Sequence, residues 1–190
     1  ADGSAVQTNR GNVRVSATGD ITVGAIDTRA AADRSTPGLS LQSDATTPWG
    51  SVSLITSGGS ILDNGIEAVA ATVDVFANEL RLSASASVKS VATNANALET
   101  EIAKLSASVG GTGMYVLESS TLSIGQTADL TVQRVGSNAA LTATTDLAQS
   151  DLMVTGNLVL QTLAGSIVVT EGDTDTGTVG IQVTSGNVLL

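Results

Sequence analysis

The tightest group of acids in the sequence is Glu171-Gly172-Asp173-Thr174-Asp175-Thr176-Gly177. Acids alternating with small residues can turn several oxygens toward a hard cation such as calcium. The run lacks the twelve-residue loop with a terminal Glu, and it lacks the tandem glycine-rich nonapeptides of a calcium β-roll. It reads as an acidic, solvated turn, and calcium at 171–177 is the one cofactor the sequence leaves room for. The other acids are scattered. Asp146 and Asp151 read as solubilising charges that discourage lateral pairing of strand edges. Carbohydrate-processing chemistry needs paired carboxylates, or calcium with a basic residue, and sugar sites stack rings on aromatics. Trp49, Phe76 and Tyr115 are far apart in sequence. Gly24, Gly125 and Gly136 read as turn residues, since no glycine-rich loop precedes a helix with a Lys. Thr-x-Thr occurs at Thr142 and Thr144 and around 174–178, without the coil period that a flat Thr ladder for ice or mineral would need. No catalytic, cofactor-binding or metal-ligating residue is assigned, and no enzyme is expected.

Composition narrows the chemistry further. The 190 residues contain no Cys and no His, which removes disulfides, thiolate nucleophiles, Ser-His-Asp triads and ordinary zinc sites. Eighteen acids against eight bases give a net charge of −10, which argues against nucleic acid and anionic membrane surfaces as partners. No stretch of about 18 apolar residues occurs, so no membrane insertion is expected. Apolar residues make up 42% but aromatics only 2%, so any core is aliphatic and small. Ser and Thr together are about a quarter of the chain, well above ordinary usage.

The elements that must position these residues announce themselves by repetition. Gly11-Asn-Val-Arg-Val15, Gly50-Ser-Val-Ser-Leu54, Gly156-Asn-Leu-Val-Leu160 and Gly186-Asn-Val-Leu-Leu190 share one form: glycine, small polar, apolar, any, apolar. Apolar residues two apart face the same side of a strand. The first three are followed by Gly19-Asp-Ile-Thr-Val23, Gly59-Ser-Ile-Leu-Asp63 and Gly165-Ser-Ile-Val-Val169. Such pairs fold either as antiparallel hairpins of a sandwich or as corners of a solenoid whose coils stack in parallel. Hairpins usually carry Asn-Gly or Asp-Gly, found here only at Asn64-Gly65 and Asp2-Gly3. Glycine just before each apolar run suits a bend into a new face. The expected fold is therefore all-β, a parallel β-helix, with a tandem Ig-like β-sandwich as the alternative. Coils of about 20 to 25 residues would give seven to nine coils.

One segment departs from that pattern. In Asn94–Val109, Leu98, Ile102, Leu105 and Val109 fall at i, i+4, i+7 and i+11, the stripe of a short amphipathic helix. Asn96 and Glu99 have capping spacing, and Gly110-Gly111 supplies a stop. The spacing predicts a helical insertion over 94–109, packed on the strands. The polar run between Val135 and Asp151 reads as a surface excursion. No linker divides the chain, so 1–190 reads as one unit. Residues 6–15 also align without a gap on residues 181–190, an offset of 175 residues. That match predicts one repeat of about 175 residues from a larger tandem array.

The paired phrases, above all Gly156-Asn-Leu-Val-Leu-Gln-Thr-Leu-Ala-Gly-Ser-Ile-Val-Val169 and Gly50-Ser-Val-Ser-Leu-Ile-Thr-Ser-Gly-Gly-Ser-Ile-Leu-Asp63, resemble the repeats of filamentous-haemagglutinin-like giant exoproteins of Gram-negative bacteria. The resemblance covers about 60 residues in recognisable motifs. It implies a right-handed parallel β-helix, secreted or displayed at the cell surface, serving in adhesion or biofilm cohesion. Its partners would be neighbouring repeats of the same polypeptide and host-cell or matrix carbohydrate or protein. The insertion at 94–109 departs from a plain repeat, and no secretion domain of that family is visible. The alternative function is a β-helical carbohydrate-binding or polysaccharide-processing module.

Overall fold

The structure, a computed structural model, describes residues 4–36, 41–64, 73–84, 90–93, 96–172 and 178–190. The chain is all-β. Sixteen strands join in one sheet whose pairings are parallel, and two more form a separate antiparallel hairpin, Leu130–Val135 with Leu141–Asp146. Among the described residues the sheet therefore lacks the antiparallel strand pairs of the sandwich alternative.

Two ladders of stacked strands define six successive rungs. In the first, Val15, Leu54, Leu82, Ala107, Leu152 and Ile181 occupy one register position. In the second, Ile21, Ile61, Val91, Met114, Leu158 and Val188 do the same. Between the ladders lies the corner that the glycine phrases anticipate. The small polar residue after glycine has a specific task there. Asp20 and Asn157 each turn Oδ1 to accept the backbone N–H of the next rung, from Ser60 and Asn187 at 2.7 and 2.9 Å, and Asn12 does the same for Ser51 at 3.0 Å where the chain enters the first ladder. The corner is thus hydrogen-bonded where regular ladder bonding lapses.

Among the described residues there are six rungs, with the strand Val6–Gln7 stacked outside Ile26–Asp27 as part of a seventh, and two excursions lengthen the coils beyond the 20 to 25 residues expected. One, between Thr28 and Trp49, carries the five-residue helix Ala31–Ser35 and a 3₁₀ turn, Gln42–Asp44. The other, between Ile124 and Leu152, carries the hairpin.

The helix expected over 94–109 is absent among the described residues: Leu98–Val109 is a twelve-residue strand. Its buried residues explain the misreading. Leu98, Thr100 and Ile102 face inward, then the strand slips by one residue at a bend, and Leu105, Ala107 and Val109 face inward. Spacings of four, three and four arise from a slipped strand as readily as from a helix. The neighbouring strand Val75–Ala84 has the same slip, with Val75, Ala77, Leu80, Leu82 and Ala84 buried opposite Thr100, Ile102, Leu105, Ala107 and Val109.

Inward side chains form one continuous aliphatic core. Leu80 sits fully buried between Val52 and Leu105 in adjacent rungs. Stacked neighbours above and below leave little room for collapse, so Leu80→Ala should cost about 3–5 kcal/mol. Denaturant unfolding would register this as a lowered midpoint with unchanged slope.

The ends that align in sequence stand on different ladders. Val13 pairs with Val52 in the first, and Val188 with Leu158 in the second. Among the described residues, no helix is long and apolar enough to cross a membrane.

Candidate functional site

Ionisable chemistry collects at the bends of the second to fourth rungs. Glu118 ends the strand Gly113–Glu118 on the side that buries Met114 and Val116, so the two-residue period carries its carboxyl inward, fully buried. Thr100, its register partner, donates Oγ1–H to Glu118 Oε2 at 2.7 Å. The backbone N–H groups of Ile102 and Ser120 donate at 3.2 and 3.1 Å. Burial pushes the Glu118 pKa up to about 8. The bonds from Thr100, Ser120 and Ile102 oppose that rise, and nearby Glu101 adds to it.

Glu101 projects from the opposite side of its strand yet is also fully buried, under the 3₁₀ turn. Its Oε1 accepts the Gln42 N–H at 2.8 Å and Ser120 Oγ–H at 3.0 Å, while Oε2 is buried without a hydrogen bond. Burial raises its pKa, and Asp44 contributes. Ser120 therefore touches both carboxyls. It also lines a groove of about 580 Å³ with Leu41, Gln42, Asn78, Ile102 and Thr121.

A second cluster joins Asp63, Asp74 and Glu99, one carboxylate oxygen from each lying within 4.8 Å of the others. Three strands position it. Asp63 ends a strand in the second rung, Asp74 precedes Val75–Ala84, and Glu99 lies near the start of Leu98–Val109. The Glu99 N–H donates to Asp74 Oδ2 at 3.1 Å. Burial first, then repulsion from Asp63, raises the Asp74 pKa to about 9. Three oxygens at this spacing are a donor set for a hard divalent cation. Near neutral pH a proton held on Asp74 offsets the same repulsion.

The sequence anticipated neither cluster. Residues 63, 74 and 99 are separated by irregular intervals, and Glu99 and Glu101 fall in the stretch 94–109 whose spacing reads as a helix. The legible signal was Glu118, which continues the inward period of Met114 and Val116. Of the acidic turn at 171–177, Asp173, Thr174, Asp175, Thr176 and Gly177 lie outside the described residues.

Two charges expected to be solubilising are not. Asp146 is buried and accepts both hydrogen bonds of an Arg14 ion pair, at 2.9 and 3.0 Å, because the hairpin folds back over the first ladder. Asp151 is buried at φ +65° where the chain re-enters the stack. Thr142 and Thr144 lie on the hairpin, and Gly24, Gly125 and Gly136 sit at bends or turns. Trp49 and Phe76 meet despite their separation, with centroids 6.2 Å apart and edge to face. Trp49 donates Nε1–H to Asp33 at 2.8 Å and is 3% exposed, and Arg29 stacks 3.6 Å from the Phe76 centroid. This pair anchors the excursion and offers no open sugar platform. Comparison of the chain with protein families, curated proteins and solved structures finds no match.

Proposed function

We propose that the chain is a section of right-handed parallel β-helix working as a structural and adhesive stalk module of a large secreted or surface-displayed bacterial protein. The observation that carries this reading is the pair of six-step parallel ladders whose four inner steps are all fully buried apolar residues. Each rung adds about 4.8 Å along one axis, so the section extends a rod with little dependence on any single side chain. Its partners are further repeats and, in cohesion, matrix or cell-surface carbohydrate or protein. The carboxyl clusters serve as internal struts, and no cofactor is required.

Ser16, Ile55, Ser83, Ser108, Met153 and Gln182 share one outward register position. Spin labels at Ser16→Cys and Gln182→Cys should lie roughly 24 Å apart, five rung spacings, in dilute monomer. Beads coated with the chain should be retained by bacterial or host matrix. A label distance far from the ladder value would overturn the β-helix. The groove beside Ser120, above two buried carboxyls, favours the carbohydrate module as a second reading. Release of reducing ends from a polysaccharide panel, lost in Glu101→Gln, would put that reading first.

A further inference from the structure

The groove beside Ser120 runs across the strands, along the bends that lead into the first ladder. Its floor takes one residue from each of four such bends: Asn78 entering the third rung, Ala103 the fourth, Thr121 the fifth and Gly165 the sixth. Asn78 and Ala103 lie between the register pairs Ala77–Ile102 and Glu79–Lys104, and Thr121 and Gly165 shortly precede the pair Leu122–Ile167. Three rung spacings of about 4.8 Å make the floor about 14 Å long. Gly165 keeps it open at the sixth rung, since a Cβ there would run into Thr121. Leu41, Gln42 and Ser43, at the 3₁₀ turn, form one wall. Fully buried Glu101 ties that wall to the stack, because its Oε1 accepts from both the Gln42 N–H and Ser120 Oγ–H.

Several polar groups along this groove are left over. Gln42 Oε1 accepts the Trp49 N–H at 3.2 Å, while its Nε2 has no partner among the described residues. The side-chain amide of Asn78 and the hydroxyls of Ser43 and Ser123 have none there either. Ser120 donates its proton to Glu101, which leaves its oxygen to accept. Glu101 Oε2 is buried without a hydrogen bond beneath the same wall, and a trapped water or a ligand hydroxyl ordinarily satisfies such a group. Between these groups lies the aliphatic surface of Leu41, Ala103 and Ala164, and no described lining residue is charged.

We propose that this groove holds a neutral oligosaccharide along the stack and retains it without cleaving it. The proposal rests on the adhesive reading above and gives its carbohydrate partner a place. A sugar ring carries hydroxyls that donate and accept around an apolar C–H surface, which matches amides and hydroxyls set about aliphatic side chains. An acidic glycan finds no cation among the described lining residues and meets a chain of net charge −10. An extended peptide fails by direction. It would cross the strands, whose main-chain groups already bond the rungs above and below, so it could not add to a ladder. Cleavage fails by placement. Glycosidases set two carboxyls about the scissile bond, whereas Glu101 and Glu118 are both fully buried and converge on Ser120.

The test titrates cellotetraose, mannotetraose and galactotetraose, with tetragalacturonate as the acidic control, into the isotope-labelled chain. At least one neutral tetrasaccharide should shift the amide signals of Gln42, Ala103, Ser120 and Thr121, with a dissociation constant on the order of 1 mM. Asn78→Ala removes an amide without a partner among the described residues, so it should keep the thermal melt and bind about fivefold more weakly. Ala103→Phe should fill the floor and abolish binding. No response to any neutral tetrasaccharide at about 20 mM, a response to tetragalacturonate as strong, or parent-like affinity in either folded variant would overturn the proposal. Release of reducing ends from the bound tetrasaccharide would overturn retention without cleavage. Matrix retention of beads coated with Ala103→Phe, equal to that of the parent, would sink the groove and leave adhesion standing. Tetrasaccharide binding without bead retention would support the groove and sink adhesion alone.

Discussion

Gly156→Ala should unfold this chain or lower its melting temperature by roughly 4–20 °C, while Gly19→Ala should leave it nearly unchanged. Gly156 begins a corner with φ +92°, a left-handed conformation that costs a side-chain-bearing residue about 1–2 kcal/mol. A Cβ there would also be driven into the backbone carbonyl of Thr112 in the rung beneath, and backbone cannot step aside as a side chain can. Overpacking of this kind adds about 1–3 kcal/mol. Each kcal/mol is worth about 2–4 °C in a chain of this size. Gly19 occupies the corresponding place in the first-rung phrase, yet a Cβ there meets nothing within 4 Å. Paired melts of the two variants test whether corners are limited by the rung beneath. Equal losses would contradict that explanation.

The second large effect is a loss of stability from pH 5 to pH 9. Glu118 in the folded chain holds its proton to about pH 8, against 4.5 when unfolded. Asp74 holds its proton to about pH 9, against 3.8. Both folded values are raised, so the native state binds more protons across the interval. The stabilisation is complete below the unfolded values, declines as pH rises, and is gone once pH passes the folded ones. A single group can change stability by about 1.4 kcal/mol per pH unit within its window, several kcal/mol in all. The groups facing Glu118 are Thr100, Ser120, the Ile102 N–H and Glu101, with Asp44 beyond Glu101. Glu118→Gln keeps an acceptor for Thr100 and removes the titration. Its stability should fall less between pH 5 and 8 than that of the parent, with the remaining slope extending toward pH 9 through Asp74. Denaturant midpoints across this range provide the check. A profile in Glu118→Gln as steep as in the parent would show that Glu118 does not titrate as described.

How far the sequence discloses all this depends on whether a signal is local. The strands at Val13–Ala17, Val52–Thr56 and Asn157–Thr162 were legible because glycine, polar and apolar positions recur within five residues. The stretch 98–109 was misread because a bend that shifts strand phase by one residue generates helical spacing. Only its neighbour, Val75–Ala84, discloses the slip, through matching buried positions across the ladder. The acid clusters are less legible still. Asp63, Asp74 and Glu99 meet because two coils of unequal length return to the same corner, and excursion lengths follow no period in the sequence. Asp146 could not be paired with Arg14 from sequence, since 132 positions separate them and the fold-back of the hairpin alone joins them.

The two slipped strands have a consequence for how the chain acquires its shape. Val75–Ala84 and Leu98–Val109 are the longest strands, with nine register pairs between them and a short intervening connection. Their loop closure is among the least costly in the chain, and it buries Leu80, Leu82, Ile102 and Leu105 together. Folding should therefore nucleate in the middle of the chain and zip outward in both directions. Amides of these two strands would be the last to exchange with solvent, and those of the first and sixth rungs the first. The central pair acts as a template, and each outer coil forms on a surface that its predecessor has already made flat, apolar and in register.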